Sequence, residues 1–210
     1  MSTVLLHGLG RGPADWDGVR DALGDVVVPA LPRDPAQALA VARSVAAPGA
    51  VLVGHSMGGV LALRLAVDCV PRAVVLTGSF FPPARNGRSL GASLRDYGAH
   101  RVSFLRSMER RGGSSESSTR ALLSLVRQAV RPRGFGAGVT APVLVVHAAD
   151  DHHVPVDFAV AAARSRGWDL RVLPAGGHHA HVVTPEPWLE AVVPWLRPEP
   201  SGPPPHTPRG

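Results

Sequence analysis

The sequence predicts an α/β protein, a parallel sheet with helices on both faces, and three observations carry that expectation. Short Val/Leu runs alternate with helical stretches along the chain. The runs are continuous rather than alternating in polarity, as strands buried on both faces must be. The chain has 210 residues, 45% of them hydrophobic, which suits one domain able to bury a substantial core.

Thr3-Val4-Leu5-Leu6 is the first such run and ends at His7-Gly8. Residues 13–23 follow as a helix, because Trp16, Val19 and Leu23 recur at spacings of three and four. Val26-Val27-Val28 is a second strand, closed by Pro29 and Pro32. Residues 35–47 read as an alanine-rich helix with Pro35 in its first turn and Leu39 and Val41 available for a core face. Ala50-Val51-Leu52-Val53 is a third strand that runs into Gly54, and residues 56–67 form the next helix. Residues 73–77 and 142–146 are two more strands. Residues 156–166 form a helix, 170–173 a last strand, and 187–196 a closing helix.

Two segments depart from this rhythm. Residues 80–138 open with Pro82-Pro83 and carry helical stretches near 90–108 and 119–130 around a loop at 112–118, so they read as an insertion between two strands. Residues 198–210 hold six prolines and no apolar periodicity, and are expected to be a disordered tail on a single domain spanning 1–197. All 22 basic residues are arginine, and lysine and isoleucine are absent. Such omissions are those of a GC-rich coding sequence and carry no functional message. The placement of charge is another matter. Between Arg85 and Arg133 stand eleven arginines against three acids, a balance of +8; the remaining eleven arginines and thirteen acids give −2.

Composition also excludes. No apolar run approaches the roughly 20 residues of a spanning helix, and no secretory signal is evident, so a cytoplasmic protein is expected. The single Cys69 cannot form an intrachain disulfide and reads as a small core residue. The arginine-rich segment lacks the interleaved aromatics of a nucleic-acid module, so no nucleic-acid partner is expected. Ten histidines are present, several of them in two strand-end loops. There is no H-E-x-x-H and no cysteine pair at ligand spacing, so neither a metal nor a cofactor is expected.

The chemistry lies in three segments. Gly54-His55-Ser56-Met57-Gly58-Gly59 satisfies G-x-S-x-G between a strand and a helix. A sharp turn there displays the Ser56 hydroxyl at a helix N-terminus, and the flanking glycines let neighbouring backbone approach. A hydroxyl is a weak nucleophile and needs a base oriented by a third group. Two later strand-end segments can supply them: His147 to Pro155 with Asp150 and Asp151, and Gly176 to His181 with His178, His179 and His181. His55 reads as a local hydrogen-bonding residue.

His7-Gly8-Leu9-Gly10, Trp16 and Gly54 to Gly59 together resemble the esterase, lipase and thioesterase branch of the α/β-hydrolase superfamily. The segment from His147 to Pro155 resembles that family's G-x-x-D-x-x-V-P acid loop, with Ala148 in place of the glycine. This register implies Asp151 as the acid, with Asp150 as second choice. Gly177-His178, with Pro185 seven residues beyond the histidine, resembles the family's catalytic G-H and implies His178 as the base. The backbone N–H groups of Leu9 and Met57 are carried over as the oxyanion hole. The family usually has two antiparallel strands before the one ending in His-Gly, so the α/β-hydrolase fold is expected here with a reduced sheet of about six parallel strands. The resemblance does not cover the insertion, which is expected to be a helical lid. The function implied is hydrolysis of a carboxylic ester or thioester through an acyl-enzyme. Acyl transfer and carbon–carbon bond hydrolysis are alternatives on the same triad, and a non-catalytic binding module is the alternative from another class. Acyl-CoA, an acyl-carrier protein or an anionic membrane surface are the partners the basic segment suggests.

Overall fold

The computed structural model describes residues 2–79, 81 and 136–197. The lid expected at 80–138, apart from Phe81 and residues 136–138, and the tail expected at 198–210 lie outside the described residues. Six strands form one sheet: β1 (Thr3–Leu6), β2 (Val26–Val27), β3 (Val51–His55), β4 (Ala73–Thr77), β5 (Val143–Ala148) and β6 (Asp169–Leu173). Their order is β2-β1-β3-β4-β5-β6 and every pairing is parallel, as the sequence predicts. Among the described residues five α-helices accompany them: α1 (Pro35–Val45), α2 (Met57–Cys69), α3 (Val156–Arg166), α4 (Ala180–Val183) and α5 (Pro185–Leu196).

The period of two along each strand divides the core. Val4, Leu6, Leu52, Val74, Leu76, Val143 and Val145 pack on one face with α1, α2 and α3. Leu5, Val51, Val53, Val75, Leu144, Val146 and Ala148 pack on the other with Trp16, Trp188, Val192 and Leu196. On α1 the buried residues are Pro35, Ala38 and Ala42, whereas Leu39 and Val41, expected to form the core face, are only partly buried beside them. Asp34 caps this helix, its carboxylate accepting the N–H groups of Ala36 and Gln37.

Three other expectations change. Residues 13–23 form not one helix but two 3₁₀ turns, Pro13–Trp16 and Arg20–Leu23. Gly18 interrupts the stretch, and the N–H groups of Asp17 and Val19 bond three residues back. Trp16, Val19 and Leu23 are nevertheless all buried, so the apolar spacing marked packing rather than α-helix. The closing helix begins at Pro185, two residues before its expected start at 187. Finally, β6 is an edge strand with one neighbour and is largely exposed, Val172 at 46%. Among the described residues no helix is long and apolar enough to cross a membrane.

β1 lies between β2 and β3, so the chain runs outward to β2 and then crosses back to the other side of β1. In open parallel sheets ligands bind at such a reversal, outside the C-terminal ends of the strands. His7 and His55 to Ser56 stand at those ends of β1 and β3.

Candidate active site

β3 ends at His55 and α2 begins at Met57, leaving Ser56 alone to turn the chain. Ser56 has φ 52° and ψ −113°, a conformation that side-chain-bearing residues rarely adopt. Its N–H bonds to Thr77 O on β4 at 3.1 Å, and its carbonyl accepts the Gly59 N–H at 3.1 Å. A serine opening a helix ordinarily caps the first turn with its hydroxyl. Ser56 makes no such bond, and its Oγ stands 3.1 Å from His178 Nε2 instead.

The turn is possible only because glycine occupies the positions where backbones meet. A Cβ on Gly54 would stand 2.5 Å from the backbone of Gly58 and Gly59. One on Gly58 would collide with the Leu6 carbonyl and lie 2.9 Å from His7 O. Both obstacles are backbone, the first turn of α2 in one case and the end of β1 in the other, and cannot rotate away. Gly58→Ala is therefore expected to destabilise the fold by about 3 kcal/mol, lowering Tm by roughly 10 °C. A thermal melt within about 2 °C of the parent would show that this packing is loose.

His178 and Asp151, the residues expected as base and acid, follow the ends of β6 and β5. His178 Nδ1 lies 2.9 Å from Asp151 Oδ2. A carboxylate only accepts, so Nδ1 carries the proton and Nε2 presents its lone pair to the Ser56 hydroxyl. Asp151 is fixed at both oxygens. Oδ1 accepts the N–H groups of His153 at 2.7 Å and Val154 at 2.9 Å. Oδ2 also lies 3.3 Å from His147 Nε2, which stands 2.8 Å from Val154 O. Burial alone would raise the Asp151 pKa, but the hydrogen bonds from His147 and His178 hold it well below the usual carboxylate range. Ser56, Asp151 and His178 are all buried. Asp150, the second choice for the acid, is exposed and accepts the Gly177 N–H at 2.8 Å.

Leu9 and Met57 are both buried. Met57 is the first residue of α2, so its N–H has no acceptor within the helix. The loop carrying Leu9 lies against the serine, since a Cβ on Gly8 would stand 3.3 Å from Ser56 Cβ. His7 holds that loop. Its Nε2 accepts the Leu31 N–H at 2.9 Å, so its Nδ1 carries the proton and donates to Gly8 O at 2.9 Å. Burial chiefly lowers the His7 pKa, which keeps the ring neutral.

Two trios bring one donor atom from each member within 4.8 Å of the others: Asp15, His55 and His181, and Asp151, His153 and His178. In both the carboxylate is already engaged. Both Asp15 oxygens bind the Arg11 guanidinium. The Asp151 oxygens hold the four donors described above. The Asp151 trio is thus part of the site's hydrogen-bond network, and in the Asp15 trio the carboxylate is taken up by Arg11.

The sequence reading missed two participants. His55 was expected to bond locally, yet its Nε2 donates to His178 O at 2.9 Å, 123 residues away. His147 was noted only as the start of the acid loop. A strand-end histidine facing the next turn was the available signal, but its partner depends on tertiary closure.

The sequence profile of the alpha/beta hydrolase family matches residues 3–192. Among curated proteins no match was found. Solved structures of similar fold include MGS-MChE2, an alpha/beta hydrolase enzyme from the metagenome of lagoon sediments at Mar Chica, Morocco. It is 20% identical with a TM-score of 0.67, over 94% of this chain and 90% of that one. A serine hydrolase involved in carbazole degradation, CarC, is 20% identical with a TM-score of 0.64, over 94% and 91%. A thermophilic esterase from Thermogutta terrifontis is 18% identical with a TM-score of 0.65, over 94% and 89%. At such identities the structures speak for the fold, while the profile match covers nearly the whole chain: this protein belongs to the alpha/beta hydrolase family.

Proposed function

We propose that the protein hydrolyses a carboxylic ester or thioester through an acyl-enzyme, with Ser56 as nucleophile, His178 as general base and Asp151 as the acid that orients it. The observation that carries this reading is the continuous chain of contacts from Ser56 Oγ to His178 Nε2 at 3.1 Å and from His178 Nδ1 to Asp151 Oδ2 at 2.9 Å. His178 takes the hydroxyl proton as Ser56 attacks the acyl carbon, then returns it to the departing alcohol or thiol. Water, deprotonated by the same imidazole, releases the acid. The N–H groups of Met57 and Leu9 stabilise the tetrahedral oxyanion, each worth roughly 3 kcal/mol of barrier.

Residues 80–138 act in this reading as a lid, and their charge favours an anionic substrate portion such as the CoA or carrier end of a thioester. Chain-length series of p-nitrophenyl esters and acyl-CoA thioesters test both parts. The Debye length falls from about 30 Å at 0.01 M salt to about 10 Å at 0.1 M. Over that range kcat/KM for an acyl-CoA is expected to fall severalfold while that for a neutral ester barely moves. Equal salt dependence would remove the anionic partner, and no turnover of either class would remove the hydrolase reading.

A further inference from the structure

We propose that His55, the residue before the nucleophile, is a positioning residue for the base: it holds the His178 backbone and so sets the distance between imidazole and serine. The proposal rests on the Ser56–His178–Asp151 reading. His178 follows Gly176 and Gly177, at φ 124° and 58°, so the ring hangs on the least restricted backbone a chain can have. Among the described residues two side chains bond to the backbone of this connector. Asp150 accepts the Gly177 N–H, but it is exposed, and water competes for the bond. The buried tie is His55, whose Nε2 lies 2.9 Å from His178 O. Gly78 leaves room for that carbonyl, since a Cβ there would stand 2.6 Å from it.

The bond's donor is fixed. A carbonyl only accepts, so Nε2 carries the His55 proton, and Nδ1 is left buried with no partner among the described residues. Burial first, then the neighbouring His181, His178 and His179, keep the ring neutral. As a packing element an imidazole with an unpaired buried nitrogen is inferior to leucine. What leucine lacks is the donor. Because His55 and Ser56 are adjacent, the tie anchors the base to the same strand end that displays the nucleophile. Drift of the connector therefore lengthens the 3.1 Å contact directly.

The test compares His55→Leu, His55→Asn and His55→Gln by steady-state turnover of a p-nitrophenyl ester and by the rate of fluorophosphonate labelling. Glutamine places an amide N–H near the position of imidazole Nε2, whereas asparagine is polar but too short. Loss of the tie is expected to lower kcat and the labelling rate about 30-fold in the Leu and Asn variants, since displacements near 1 Å can cost about a hundredfold. KM should stay within about twofold, and the Gln variant should retain at least about a third of the parent kcat. In a His178→Ala background His55→Leu should slow labelling no further, because residues acting through one another are non-additive. If His55→Leu does not fold, Asn against Gln decides. A folded Leu or Asn variant at parental kcat, or a Gln variant as impaired as Asn, would overturn the proposal. An active Ser56→Ala would instead overturn the triad reading.

Discussion

Ser56→Ala is expected to lower kcat by on the order of 10⁶, the loss seen when the nucleophile of a comparable triad is removed. The fold should be unaffected. Alanine keeps the Cβ and so inherits the same backbone at φ 52°, and the Ser56 hydroxyl makes no capping bond whose loss would weaken α2. What disappears is the atom 3.1 Å from His178 Nε2. The Met57 and Leu9 N–H groups remain, so a residual acceleration of about 10³ over water should survive. Covalent labelling by a fluorophosphonate should vanish altogether. A variant that keeps a tenth of the parent activity, with an unchanged melting curve, would remove Ser56 from the mechanism.

What could be read from the sequence was whatever is written locally. Val and Leu runs specify strands wherever they lie, and each of the six falls within a residue or two of its expected place, although β6 at the sheet edge is largely exposed. The elbow is local too, because Gly54, Ser56 and Gly58 are fixed by contacts with the turn itself and with β1. Misreadings arose where a local signal has two meanings. Trp16, Val19 and Leu23 are spaced for a helix face, yet two short turns bury them equally well. Leu39 and Val41 are larger apolar residues of α1, yet Ala38 and Ala42 are the ones fully buried in the core. The contacts of His55 and His147 were not legible at all. Each depends on which loops the parallel crossovers bring together, and no spacing in the chain encodes a bond spanning 123 residues.

Two adjacent carboxylates offer the sharper test. Asp151→Asn is expected to lower kcat by about 10⁴, and Asp150→Asn by less than about tenfold. The difference follows from what each oxygen accepts. Asp151 Oδ1 receives two backbone N–H groups, from His153 and Val154, so an asparagine must keep its carbonyl oxygen there. Its NH₂ then falls where Oδ2 was, facing His178 Nδ1 and His147 Nε2. His147 keeps the Val154 carbonyl as its acceptor, but the new amide and His178 Nδ1–H are two donors facing each other with no acceptor between them. His178 escapes by moving its proton to Nε2, which leaves no lone pair for the Ser56 hydroxyl, and the base is lost without any change of shape. Asp150 faces a different demand. It only accepts the Gly177 N–H, and an asparagine carbonyl accepts that bond equally well. Parallel kcat measurements on the two folded variants decide the matter: an Asp150→Asn enzyme more impaired than Asp151→Asn would move the acid by one residue.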